Sequence, residues 1–168
     1  LADLWAMACQ CPHIELIGLQ FHTSWNLTPE PQIDFIQRLG KAFANMPRDF
    51  IEKIDFIDIG GGYWPGQGEW LHGAATTAGQ VRHALGLPAA DESSRAHHCL
   101  SAEPIESFAR QLGAALRENI FSVKPCRICV EPGRWICHEA MHLLITVVDK
   151  KASDLVITDA GTNAVGWE

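Results

Sequence analysis

Apolar residues along this chain fall into short unbroken runs that alternate with stretches where they recur every three or four positions, the patterns of buried strands and one-sided helices. Residues 1–9 read as the end of a helix and 14–21 as a strand. Thr28 is suited to cap a helix that carries Pro29 in its first turn and Ile33, Ile36, Leu39 and Phe43 on one face, and Pro47 ends it. A second apolar run, 54–59, gives a strand. The span 63–102 follows, and then a helix over 105–116 with Ile105, Phe108, Leu112 and Leu116 in register, leading through Pro125 into a strand at 127–130. Strand and helix in alternation, with apolar strands, predict a parallel sheet covered by helices, and the order fits part of a (β/α)8 barrel. Beyond Arg134 the pattern changes: 143–148 and 155–158 read as consecutive strands separated by a charged turn, Asp149-Lys150-Lys151.

The three apolar strands all end in polar or glycine-rich residues: His22-Thr23-Ser24, Gly60-Gly61-Gly62 and Glu131-Pro132-Gly133-Arg134. Strand ends of this composition form a binding corner, and three in succession imply one shared site. A dianionic phosphate is well served by backbone N–H groups that can approach closely, which glycines without a Cβ favour, and Arg134 adds a fork of charged donors. A lone Gly-Gly-Gly usually marks only a sharp loop. Its place after a strand, one βα unit before Glu-Pro-Gly-Arg, is what gives it weight.

In this order the segments resemble the last barrel strands of the fold-type III pyridoxal-phosphate decarboxylases, which act on ornithine, arginine and diaminopimelate. The resemblance covers roughly residues 16–163, with one large insertion at 63–102. It implies an α/β fold: the C-terminal portion of an alanine racemase-like (β/α)8 TIM barrel over 1–141, and the start of a β-rich domain over 142–168. It implies that His22 stacks on the ring of pyridoxal 5'-phosphate, that Gly60, Gly61, Gly62, Gly133 and Arg134 cradle its phosphate, and that Glu131 meets the ring nitrogen; His22 and Glu131 are the catalytic candidates. Ser24 is the remaining cofactor-binding candidate, although the sequence reads His22-Thr23-Ser24-Trp25, so the serine comes one residue early and Trp25 takes its place. A carboxylate beside the pyridine nitrogen favours its protonated state and makes the ring an electron sink suited to decarboxylation. The related alanine racemases place an arginine there, so Glu131 favours decarboxylase over racemase. A non-catalytic homologue is a further alternative. The resemblance also implies a fragment: the Schiff-base lysine of the family lies on an earlier strand, and Lys41, Lys53, Lys124, Lys150 and Lys151 lie in no such context. A small amino-acid substrate and a homodimer are expected.

Bulk properties narrow the rest. A net charge of −7 and a pI near 5.6 argue against a nucleic-acid or anionic-membrane surface, and no apolar run approaches the ~20 residues that span a bilayer. Six irregularly spaced cysteines point to reduced thiols in a cytoplasmic setting. His138-Glu139-Ala140-Met141-His142 fits H-E-x-x-H, the basis of a rival zinc-hydrolase reading, but Pro132-Gly133 just upstream and strands just downstream leave little room for the required helix. Cys126 and Cys129, three apart on a strand, face opposite sides and do not make a zinc knuckle unless the strand breaks. No metal is expected. The long span 63–102 is read as a lid or substrate-selecting wall, or as a plain surface insertion, with a short helix near 81–85 and a polar stretch at 91–98.

Overall fold

The computed structural model describes residues 1–72, 77–87, 97–140, 142–153 and 155–161. The chain divides into two compact units, Leu1–Trp70 with Cys99–Ile136, and Leu71–His98 with Cys137–Glu168.

In the first unit three short strands, β1 (Gly18–Gln20), β2 (Phe56–Asp58) and β5 (Arg127–Cys129), form a parallel sheet in the order β1-β2-β5. The alternation of strand and helix thus gave the right sheet type. Each strand is shorter than its apolar run, and in the run that leads into β1 Ile14 and Ile17 are exposed. The run through the central strand is deeply buried, with Ile54, Ile57 and Ile59 all 2% exposed or less. Helix α2 (Glu30–Phe43) covers the sheet with Ile36, Leu39 and Phe43, and α5 (Ile105–Leu116) with Phe108, Leu112, Ala115 and Leu116. Phe21 stacks on Phe35 at 4.1 Å, and Tyr63 meets Phe108 edge-on at 5.5 Å, so the chain beyond β1 and beyond β2 is anchored to a helix by an aromatic pair.

Several boundaries differ from the sequence expectation. Pro29, not Thr28, occupies the N-cap of α2: its backbone is already helical and its carbonyl accepts from the Ile33 N–H at 3.0 Å, so no hydroxyl cap is used. Pro47 opens a further short helix, α3 (Arg48–Lys53), whose Phe50 and Ile51 enter the core. Helix α5 continues into a π-helical turn, Arg117–Phe121, against which Gly40 packs so closely that an added Cβ would lie 2.6 Å from the Asn119 carbonyl.

The span 63–102 is more structured than a loop. It contains β3 (Glu69–His72) paired with β4 (His97–Leu100), and helix α4 (Thr77–Ala84) where a shorter one was expected. Most of the polar stretch at 91–98 lies outside the described residues. In the second unit β6 (Val147–Ala152) and β7 (Leu155–Thr158) form an antiparallel hairpin. Here the expectation of a turn at Asp149-Lys150-Lys151 is corrected, because these residues lie within β6. The register is set further out: the Asp159 N–H donates to the Thr146 carbonyl at 3.1 Å while Asp159 Oδ1 accepts from the Thr146 N–H at 2.9 Å. The Lys151 ammonium pairs with the Asp149 carboxylate two residues back, as side chains on one face of a strand do.

Candidate functional site

The sheet register explains how the three strand ends meet. Gln20 pairs with Asp58, and Asp58 with Cys129, across the parallel ladders. Two residues further along each strand come His22, Gly60 and Glu131, on the same face and at the same level. The Phe21 N–H donates to the Asp58 carbonyl, the Ile59 N–H to Cys129 and the Glu131 N–H to Gly60, at 2.8–3.0 Å, so the ladder persists to the site.

Strands β1 and β5 flank β2 and are therefore about 9.5 Å apart at the usual strand spacing. Their side chains nevertheless meet, His22 Nδ1 lying 2.9 Å from Glu131 Oε2. Glycine on the intervening strand makes this possible. A Cβ on Gly61 would fall 3.2 Å from His22 Cε1 and 2.3 Å from the Glu131 carbonyl oxygen. Gln20 Nε2 supports the other carboxylate oxygen at 3.4 Å. Because His22 and Glu131 are 48% and 43% exposed, their pairing contributes only about 0–1 kcal/mol to stability. What it fixes is direction, holding the carboxylate and imidazole together on the open side of the sheet.

The glycine loop is held on its other sides. Gly60 and Gly62 have φ of +69° and +79°, a region that a side chain disfavours, and Asp58 Oδ1 accepts from the Gly60 N–H at 2.9 Å. Added Cβ atoms would meet the Phe21 carbonyl at 2.5 Å from Gly60 and the Thr23 carbonyl at 2.3 Å from Gly62, so the loop nests against the His22-Thr23-Ser24 backbone. Ser24 is exposed and meets the loop through its Cα.

Gly133 opens α6 (Gly133–Cys137), and nothing lies within 4 Å of the Cβ it lacks. Its neighbour Arg134 sets its guanidinium over the Trp64 ring at 4.2 Å and the Trp25 ring at 5.6 Å. Trp25 takes up a left-handed backbone, φ +66°, which costs a bulky residue of order 1–3 kcal/mol. Of the residues named from sequence, His22, Ser24, Gly60 to Gly62 and Glu131 are brought into contact, while Gly133 and Arg134 follow Glu131 along the chain with Arg134 turned to the two tryptophans, all within the first unit.

Sequence reasoning missed the supports: Gln20, Asp58, Asn26 and Gln32. Each acts through one hydrogen bond or a few to a neighbouring chain segment, which leaves no periodic or motif signal. Tyr63, on the far side of the loop, has its hydroxyl pushed above the usual tyrosine range by burial; the nearby Gln32 amide opposes this shift and the Asp58 carboxylate adds to it. Gln32 approaches the Tyr63 hydroxyl without reaching hydrogen-bond geometry.

The metal readings find no support in the geometry. Helix α6 stops at Cys137 and His138–Ala140 form a turn, so the helical spacing that H-E-x-x-H needs is not present there; Met141 lies outside the described residues. All six cysteines are free. Burial pushes the Cys126 thiol up against the pull of Lys124, with Asp55 adding to the rise. Among the described residues no group of three or more His, Cys, Asp or Glu is arranged to hold a metal ion. Among them, too, no helix is long and apolar enough to cross a membrane.

The chain is similar in structure to a single-substitution mutant of diaminopimelate decarboxylase from Helicobacter pylori, solved in complex with L-lysine, with a TM-score of 0.54 and 22% sequence identity. The match covers 96% of this chain and 32% of that one, so the chain spans about a third of its neighbour's length. At this identity the likeness shows the fold: a mixed α/β chain with a parallel sheet, of the kind found in that decarboxylase. No protein-family model matches the chain, and no curated protein does.

Proposed function

We propose that the chain is part of a pyridoxal-phosphate-dependent amino-acid decarboxylase of the ornithine, arginine or diaminopimelate type, contributing later strands of an alanine racemase-like barrel and the start of a β-rich domain. The observation that carries this reading is the meeting of His22, Gly60 to Gly62 and Glu131 at the ends of three adjacent parallel strands, in the chain order that the resemblance requires. The residues fit the group. Glycines with close backbone approach, open space at Gly133 and the Arg134 guanidinium suit a phosphate ester, while the exposed carboxylate of Glu131 suits a protonated ring nitrogen.

When bound, pyridoxal phosphate supplies an electron sink for the electron pair left behind as the substrate carboxylate departs as CO₂. The chain's own residues do the rest by placement. Glu131 would hold a proton at the ring nitrogen, with Gln20 on one oxygen and His22 on the other keeping the carboxylate aimed. His22, its ring turned by the bond from Nδ1 to Glu131, would present a face for stacking. Arg134 would bring positive charge to the phosphate, its guanidinium confined by Trp25 and Trp64. A carboxylate partnered by histidine and glutamine, rather than an arginine, favours decarboxylation over racemisation. By the same reading the protein works as a cytoplasmic homodimer on a small amino acid.

The test is the near-visible spectrum of the full-length protein with pyridoxal phosphate, before and after borohydride, with mass spectrometry locating the modified lysine. Trapping on a lysine outside residues 1–168, followed by CO₂ release from a basic amino acid, supports the reading. A spectrum without bound cofactor turns it toward a non-catalytic homologue. Arg134→Ala is expected to weaken cofactor binding, and Glu131→Ala to slow the chemical step at nearly unchanged cofactor affinity. An Arg134→Ala protein that binds as well as the parent removes the phosphate assignment.

A further inference from the structure

Two amide side chains outside the three motifs hold the glycine loop from behind. Asn26 and Gln32 are 1% and 0% exposed, and both donate to one acceptor, the Gly61 carbonyl, at 3.1 Å from Asn26 Nδ2 and 3.4 Å from Gln32 Nε2. Gln32 Nε2 also reaches the Ile59 carbonyl at 3.2 Å. Asn26 is fixed in turn: its Nδ2 donates to the Thr23 carbonyl at 3.0 Å and to Thr23 Oγ1 at 2.8 Å, and its backbone N–H donates to the Gly62 carbonyl at 2.9 Å.

In a planar trans peptide the C=O and the following N–H point in opposite directions, and among the described residues no peptide bond is cis. Pinning the Gly61 carbonyl against the two amides therefore aims the Gly62 N–H away from them. Among the described residues that N–H meets no protein acceptor. Gln32 thus directs both of its observed hydrogen bonds to backbone carbonyls of the loop and the strand before it, while its own Oε1 is buried without a hydrogen-bond partner.

We propose that Asn26 and Gln32 are positioning residues that fix the Gly61-Gly62 peptide so that the Gly62 N–H is offered to an anionic ligand group, the phosphate ester of the cofactor. This rests on the function proposed above and adds to it the two residues that set the donor's direction.

The experiment follows the Gly62 amide resonance of the full-length protein, labelled with ¹⁵N at glycine, during titration with inorganic phosphate and then with pyridoxal phosphate. A saturable shift is expected in the parent. In Gln32→Met, which fills the space without a donor, binding of both probes is expected to weaken roughly tenfold while the variant stays folded, the scale of one hydrogen bond to a charged group. Where Gln32→Met does not fold, Gln32→Asn keeps an amide but shortens its reach and gives the same reading. Undiminished phosphate affinity in a folded variant overturns the positioning role and leaves the phosphate reading standing. A Gly62 resonance in the parent that responds to neither probe overturns both.

Discussion

Gly61 is the residue on which the site's geometry turns. Its neighbours on either side need glycine for backbone conformation, but Gly61 is required for space: the Glu131 carbonyl and the His22 ring both press on the position its side chain would take. Alanine there must displace backbone. Gly61→Ala is expected to destabilise the protein by about 1–3 kcal/mol, the usual penalty for overpacking, and to part His22 from Glu131. Urea unfolding would measure the first effect, and the Glu131 side-chain carboxyl resonance compared with that of His22→Ala the second; a variant with parent-like stability and an intact pair would show that the strands yield more easily than the contact distances imply. Trp25 makes the complementary point. A bulky side chain is kept in a left-handed conformation where its ring lies beside Trp64 and Arg134, so local strain is accepted to place a cation.

At the scale of elements, helices α2 and α5 followed from periodicity because a buried stripe leaves a repeating mark in sequence. Strand lengths and the hairpin register did not, since these depend on which backbone groups find partners. The β6–β7 hairpin offers a direct check. The Asp159 carboxyl lies below the ordinary aspartate range, first because the Thr146 backbone N–H donates to it and then through the Thr146 side chain. A depressed folded value means that its contribution is fully present above the unfolded pKa and is lost as pH falls through the folded one. The Thr146 amide resonance should therefore titrate in the acid range below the usual aspartate value, and Asp159→Asn should abolish that titration. A Thr146 amide indifferent to acid in the parent would show that the carboxylate does not hold the hairpin's open end.

Over the whole molecule, the first unit has an apolar cavity of about 330 Å³ bounded by α5, β5 and α6, lined by Phe108, Leu112, Ile128, Val130, Trp135 and Ile136 among others. The second unit exposes Leu143, Leu144, Val147, Val148, Val156 and Ile157. Apolar surface on this scale is unfavourable in water. The 168-residue chain by itself is accordingly expected to bind a hydrophobic dye such as ANS strongly and to self-associate with concentration, measured by fluorescence and by light scattering after size exclusion; a dye-silent monomer would contradict this. The sequence by itself determined the parallel α/β pattern, the two long helices and the chemically distinctive strand ends, because periodicity, proline, glycine and charge act locally and leave marks at fixed spacing. Only the tertiary structure decided that His22 meets Glu131 above Gly61, that Trp25 and Trp64 confine Arg134, and that Asn26 and Gln32 hold the loop. These contacts join residues up to 109 positions apart through a sheet register that hydrogen-bond partners, rather than any local preference, select.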